Sequence, residues 1–367
     1  MASYIHERKD WPRFSWSRKR LIDRLAAVRH RQGCLLGRMD ALNPILRAEA
    51  VIGALTDDVV ASGAIDGVEF DRERVRAAFA YRLSPAGGVP ADDRTAGAVG
   101  MALDATWNFD VPLSEQRLFA WHAGLFPAGS GESIASAWRD DRPGPMRIVS
   151  GTPGRERIHY EAPPARRLPK EMRAFFAWFD DGVTTPDPVL KAGVAYLWFV
   201  ALHPFDRGNG QISRAIADLA LARSERSAQR CYSLSTQLCA DQATYHEILD
   251  ETQRGDLDIT PWLDWFLGCL DRALHAAEKT LSGIRGKARL LEMPAGASFN
   301  SRQRTMLERL QGGFEGGLTS SQWAALAGCS QDTALRDIGD LIGRGLLTKD
   351  AGGGRSTSYS LAPLNSR

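Results

Sequence analysis

Residues 203–214 read His-Pro-Phe-Asp-Arg-Gly-Asn-Gly-Gln-Ile-Ser-Arg, residue types that can move a proton and hold an anion. A histidine is the usual proton acceptor at neutral pH, and His203 stands at the rim of a loop. Gly208 and Gly210 flank Asn209 directly before a helical pattern. Glycines there let backbone N–H groups close on a phosphate, and the helix N-terminus adds positive potential. Arg214 falls in the first turn of that helix, three positions after Gln211 and on its face. A cation at a helix N-terminus is mildly disfavoured by the dipole, so Arg214 calls for an anion nearby. Each residue also has a plainer role. His203 can cap a buried helix, Gly208 and Gly210 can be turn glycines, and Asn209 can be a left-handed turn residue. Arg214 can pair with a carboxylate of the same chain.

Two apolar patterns position this loop. Val194 to Leu202 is apolar throughout and predicts a buried helix; Ile212, Ala215, Ile216, Leu219 and Ala220 have helical spacing. The segment therefore reads helix, anion-binding loop, helix. Pro204 and Phe205 turn the chain and anchor the loop in the core.

The segment resembles the signature of the Fic family, His-x-Phe-x-(Asp/Glu)-Gly-Asn-Gly-Arg-x-x-Arg. It matches at His203, Phe205, Gly208, Asn209, Gly210 and Arg214 and departs at Arg207 and Gln211. The resemblance implies transfer of AMP from ATP to a hydroxyl of a target protein. His203 would be the base, Gly208, Asn209 and Gly210 the phosphate cradle, and Arg214 the clamp on the terminal phosphate. In the family the acid at the place of Arg207 holds Mg²⁺, and arginine cannot ligate a cation. Arg207 can instead replace the metal's charge and pair with phosphate. Gln211 keeps hydrogen bonding but loses a charge, so the loop is one unit more positive than the pattern. ATP is thus the implied substrate, while Mg²⁺ does not suit this loop. The rival reading is a degenerate Fic fold that senses a nucleotide or binds protein or DNA without transfer.

The family also carries an inhibitory motif, (Ser/Thr)-x-x-x-Glu-(Gly/Asn), whose glutamate pairs with the arginine at the place of Arg214. Ser62, Asp66 and Gly67 match it, with aspartate for glutamate. The chain upstream predicts a helix capped by Ser17, a second after Asn43-Pro44 through Val60, and a third from Asp71. This stretch resembles the helical domain that precedes one class of Fic domains. Three aromatics within Trp11–Trp16 suit an arm docked on the core. A hairpin is predicted from Met146–Val149 and Arg157–Tyr160 across Gly151-Thr152-Pro153-Gly154. The resemblance makes it the flap, with Ile148, Val149, Ile158 and His159 holding a target segment by strand addition. Tyr245 can stack on a nucleobase or sit in the core.

After a linker over 292–300 come a helix over 300–310, two more around a Gly-Cys-Ser turn, and two strands around Gly352–Arg355. That order resembles a winged helix. Over 300–367 eight basic residues stand against six acidic ones, and Asp332, Asp337 and Asp340 lie on the second helix of the turn. DNA and protein partners are therefore equally open for it.

The expected fold is mainly α, with an N-terminal helical domain over 1–83, a Fic domain over 84–291 and a winged helix over 300–367. A 44% hydrophobic and 25% charged composition is that of a globular protein, and the net charge of +2 announces no nucleic acid or membrane. Five scattered cysteines argue against a disulfide framework or structural zinc. The first residues lack an apolar signal region, and the apolar run before His203 is too short to span a bilayer. A cytoplasmic protein is the expectation.

Overall fold

The computed structural model describes residues 4–83, 93–127, 137–152, 155–182, 187–291, 299–311, 318–350 and 357–362. Helix accounts for 68% of the structure, in fourteen helices among the described residues, so the fold is mainly α as expected. The chain forms two compact units, one of residues 1–34 with 51–274, the other of 35–50 with 275–367. Residues 4–34 and 51–83 fall in the first of these and 35–50 in the second.

In the first unit α7 (Pro188–Leu202) and α8 (Asn209–Glu225) form the centre. Asp187 caps α7 by accepting from the Val189 N–H, and Pro188 follows at the first helical position. From Val189 to Leu202 only Lys191 escapes burial, as expected of a helix apolar on every side. It ends at His203, in the left-handed conformation (φ 43°) that glycine usually takes there. Pro204 then prevents continuation. Around this pair lie α4 (Asp93–Trp107), α5 (Glu115–Leu125), α6 (Leu168–Asp180), α9 (Leu234–Ala240), α10 (Gln242–Arg254) and α11, which starts at Thr260. The 11–16 arm adds a bridge from Ser15 to Asp258, and its Trp11 and Phe14 meet the ring of Trp198 on α7. The aromatic arm therefore docks on the core.

The helices α1 (Arg18–Asp40), α2 (Pro44–Ile65) and α3 (Arg72–Leu83) begin where their caps predict. Ser17 accepts from Arg20, and Asp71 from Arg74. The hairpin pairs β1 (Arg147–Ser150) with β2 (Arg157–Glu161), Ile148 opposite Tyr160, with a bulge between Ile148 and Val149. Pro153 and Gly154 of its turn, residues 84–92 of the expected loop before α4, and most of the expected linker lie outside the described residues.

In the second unit α12 (Ser301–Gln311), β3 (Leu318–Thr319), α13 (Ser320–Ala327), α14 (Gln331–Gly343), β4 (Leu347–Lys349) and β5 (Ser358–Leu361) surround Trp323, Ile338, Leu341 and Leu347. The strands form an antiparallel sheet in the order β3-β5-β4, which adds β3 to the two strands expected. Gly352 to Arg355 lie outside the described residues.

Candidate functional site

The loop from His203 to Gly208 is built from both sides. Asn209 closes it, its amide oxygen accepting from the Phe205 N–H at 3.0 Å and its amide nitrogen donating to the Phe205 carbonyl at 2.7 Å. Phe205 is fully buried and stacks on His122 of α5 at 4.3 Å with an interplanar angle of 8°. Asn209 is helical, and the left-handed residue before α8 is Gly208 (φ 74°). The left-handed role considered for Asn209 thus belongs to its neighbour. A Cβ on Gly208 would lie 2.7 Å from the Phe126 ring, so conformation and space both require glycine.

His203 faces this loop half-buried. Its Nδ1 contacts the Val200 carbonyl, which can only accept, so Nδ1 carries the proton and Nε2 presents a lone pair. Burial pushes the imidazole down to about 4, and the Arg139 cation acts in the same direction, against the Val200 bond and the Asp66 charge. The ring is therefore a neutral acceptor at pH 7. Arg139, which the sequence pattern did not single out, holds the turn. It is 3% exposed; its Nε donates to the His203 carbonyl and its Nη2 to the Pro163 carbonyl, both at 2.6 Å. Its own N–H donates to the Pro204 carbonyl at 2.9 Å. One residue thus holds the left-handed turn by two bonds, at the His203 and Pro204 carbonyls, and ties it to Pro163 by a third.

Arg214 lies in the second turn of α8, one turn further in than the sequence pattern placed it, and is 2% exposed. Its Nε donates to Ser62 Oγ and its Nη2 to the Ser62 carbonyl, each at 2.8 Å, and Nη2 lies 3.0 Å from Asp66 Oδ2. Burial alone would lower this guanidinium, but Asp66, with the Tyr196 and Tyr245 hydroxyls, holds it above its ordinary range. Nη1 makes no hydrogen bond among the described residues.

Asp66 is placed by the end of α2. The Gly67 N–H donates to the Ala64 carbonyl and the Val68 N–H to the Gly63 carbonyl, with Gly67 left-handed (φ 71°). This is a Schellman ending with Asp66 as its last residue. Gln242 of α10 reinforces it by donating to the Ile65 carbonyl at 3.1 Å. A carboxylate at the C-terminus of its own helix is disfavoured by the dipole. Here it crosses to the N-terminus of α8, where a Cβ on Gly210 would lie 2.6 and 2.8 Å from its two oxygens. The carboxylate therefore rests on the Gly210 backbone, where a cradle would receive a phosphate.

The other expected residues separate. Gln211 is 4% exposed and lines a cavity of about 20 Å³ with Ser62, Arg214, Asp58 and Asp218, beneath α2 rather than on the loop's open side. Arg207 and Asp206 are exposed. Tyr245 is in the core, its hydroxyl accepting from Tyr196 at 3.0 Å. On the hairpin Val149 and Ile158 are 50% and 38% exposed. His159 contacts Ser150 Oγ at 2.6 Å and faces Asp250 of α10 at 4.0 Å, while Arg254 donates to the Ile158 carbonyl at 2.7 Å. Sequence reading also missed His6 and Tyr160, which meet behind His203; neither lies in a recognisable motif.

At the position where the family pattern has its metal-holding acid, Arg207 offers donors only and cannot ligate a cation; the neighbouring carboxylate in the loop is the exposed Asp206. No helix of the described residues is long and apolar enough to cross a membrane.

Residues 112–221 match the Fic/DOC family, and residues 4–84 match DUF4172, a domain of unknown function. The structure is similar to a Fic family protein from Desulfovibrio desulfuricans G20, at 20% identity and a TM-score of 0.54, over 97% of this chain and 99% of that one. It is also similar to a Fic domain containing signaling protein from Bacteroides thetaiotaomicron VPI-5482, at 17% identity and a TM-score of 0.50, over 69% of this chain and 97% of that one. At these identities the likeness is one of fold.

Proposed function

We propose, from the premise that residues 112–221 are a Fic/DOC-family domain, that the protein is an adenylyltransferase held in an inhibited state by Asp66. The observation that carries this reading is the neutral His203, its Nε2 without a hydrogen-bond partner among the described residues, beside a helix N-terminus already occupied by a carboxylate. In the reaction the hydroxyl oxygen of a target Ser, Thr or Tyr bonds to the α-phosphorus of ATP. The bond from that phosphorus to the bridging oxygen breaks, pyrophosphate leaves with the electron pair, and the hydroxyl proton goes to His203 Nε2. Gly208 and Gly210 let the α8 N-terminus meet the phosphates, while Asn209 keeps the loop in shape. Arg214 receives the terminal phosphate once Asp66 withdraws, and Arg207 supplies charge at the exposed edge. A triphosphate in place of one carboxylate adds negative charge beside His203 and so raises its proton affinity, which strengthens it as a base. The hairpin presents the target segment through the outer edge of β1. In the second unit, the topology of three helices, a β3 strand and a hairpin supports a winged helix as a docking module for protein or DNA.

A non-transferring nucleotide sensor is the second reading, favoured by Arg207 in the place of a metal ligand. Incubation with α-labelled ATP, with and without Mg²⁺, tests the first. Label should enter the Asp66→Gly protein or an added target and be absent from Asp66→Gly/His203→Ala. Nucleotide binding with no label in any variant supports the sensor.

A further inference from the structure

We infer that the amino-terminal segment is a positioning element for His203, acting through His6 and Tyr160. This deepens the proposed function, since it rests on His203 as the base, and it gives part of the DUF4172 region a role.

Three consecutive carbonyls lie in the last turn of α7, and helix ends leave such groups to be satisfied from outside the helix. The Phe199 carbonyl accepts the His203 N–H at 3.2 Å, and the Val200 carbonyl faces His203 Nδ1. The Ala201 carbonyl accepts the Tyr160 hydroxyl at 2.8 Å. Of the bonds to these three carbonyls His203 thus makes two and Tyr160 the third, while Arg139 holds the next turn at the His203 and Pro204 carbonyls. Tyr160 is fully buried and its ring centre lies 6.4 Å from that of His203.

The Tyr160 hydroxyl has one proton, and that proton is given to Ala201. His6 Nδ1 lies 3.0 Å from the same oxygen, so His6 must be the donor and carry its proton on Nδ1. His6 is 5% exposed, and burial, with the Arg167 cation next, pushes it down to about 4, so it donates as a neutral ring. The chain His6 Nδ1–H, Tyr160 O–H, Ala201 carbonyl therefore has a single proton order.

His6 is itself anchored. Its carbonyl accepts from Arg167 Nη2 at 3.3 Å. Two residues later Arg8 donates to the Gly255 carbonyl from Nε at 2.9 Å and Nη2 at 2.7 Å. Trp11 donates to Glu171 at 3.0 Å. Burying an imidazole costs desolvation that a phenyl ring would not, and its bond to Tyr160 offsets part of that cost. Neither His6 nor Tyr160 is placed against a substrate here; both are positioning residues. Without the Tyr160 bond the Ala201 carbonyl is left unsatisfied, the last turn loosens, and the His203 Nδ1–H to Val200 bond no longer dominates.

The full chain as His6→Phe, His6→Asn and Tyr160→Phe decides the matter; asparagine keeps an N–H near the place of Nδ1. Each variant is first checked for a cooperative melt. Nitrogen NMR of histidine-labelled protein, assigned against His203→Ala, then reads the His203 tautomer without any need for activity. His6→Phe and Tyr160→Phe should show a mixed His203 tautomer, while His6→Asn should keep the Nδ1–H form. In the Asp66→Gly background the first two should lower kcat by about 3- to 10-fold, the rate equivalent of one hydrogen bond, with KM unchanged. His6→Asn should recover most of that loss. An unchanged tautomer in folded His6→Phe and Tyr160→Phe overturns the inference, as does a His6→Asn protein no better than His6→Phe. If Asp66→Gly itself transfers nothing, the transferase reading fails while the tautomer still decides the positioning.

Discussion

The Asp66 carboxylate lies 3.0 Å from Arg214 Nη2 although aspartate is one methylene shorter than the glutamate of the resembling motif. The Schellman ending of α2 and the absence of a side chain at Gly210 let the backbones approach, which makes up the missing reach. The pair leaves Arg214 almost wholly buried and Asp66 about one quarter exposed. Losing Asp66 therefore uncovers a buried cation, an outcome that costs about 3–5 kcal/mol where a buried pair is broken from one side. Discounted for the exposure of Asp66, a smaller loss is expected here. Asp66→Gly should melt lower than the unaltered protein, and millimolar ATP should restore the difference by supplying the anion. Calorimetry should show ATP binding at least about 10-fold tighter in Asp66→Gly, the equivalent of one charge-assisted bond. Equal affinity in the two proteins rules out Asp66 as a competitor.

Gly210 tests the same contact from the other side. A Cβ there would meet Asp66 Oδ1 at 2.6 Å and Arg214 Nη1 at 3.1 Å, so the carboxylate must move. Gly210→Ala should destabilise the unaltered chain by about 1–3 kcal/mol, the usual cost of overpacking. The same substitution in Asp66→Gly should cost less, because the crowded atoms are gone. Denaturant melts of the four proteins give the coupling, and additive effects would show that the two residues do not touch.

Three buried or half-buried histidines make stability depend on acid. His6, His122 and His203 are each pushed by burial from 6.5 down to about 4. Between those values the unfolded chain binds more protons than the folded one, so stability falls as pH drops through this window. It is fully present above about pH 6.5. Each shift corresponds to at most about 3 kcal/mol. Melts from pH 7 to pH 4 should fall steeply for the unaltered protein and less steeply for His122→Phe, once corrected for its loss at pH 7. The acid limb of kcat/KM for Asp66→Gly should lie well below pH 6.5, since the free enzyme's base is His203. An acid limb at or above 6.5 would mean that another group limits the reaction.

The His203–Arg214 loop was legible in the sequence because its residues are local, whereas its pairing with Ser62 and Asp66 came from the resemblance alone. The loop, the helices on either side and the caps at Ser17 and Asp71 follow from turn chemistry and periodicity over a dozen residues. The hairpin was legible for the same reason. Arg139, His122, His6 and Tyr160 were not, because each acts across a distance of tens to more than a hundred residues. Arg139 reaches the His203 carbonyl 64 positions away, and His6 reaches Tyr160 across 154. No spacing rule covers such pairs. The side on which Gln211 falls was equally hidden: helical phase places it near Arg214, but only the packing of α2 and α4 turns it inward.

That inward position sets the last prediction. A return to the family pattern at Arg207 and at Gln211 looks symmetrical in sequence and is not so in the fold. Arg207 is exposed, so Arg207→Asp changes charge at the loop's edge with an effect on stability within about 0.5 kcal/mol. In the Asp66→Gly background it should convert label transfer that Mg²⁺ barely affects into transfer that Mg²⁺ controls, because a carboxylate can ligate the cation and guanidinium cannot. Gln211 is 4% exposed beside a cavity of about 20 Å³, room for a single water. Gln211→Arg would force a second guanidinium against Arg214, with Asp58 and Asp218 the only acids lining that space. It should lower the melting temperature by several degrees and bring no gain in transfer unless α2 shifts. Melting curves and Mg²⁺ titrations of the two single variants and the double separate these effects. A stable Gln211→Arg protein with raised transfer would show that this side chain turns to the phosphates after all.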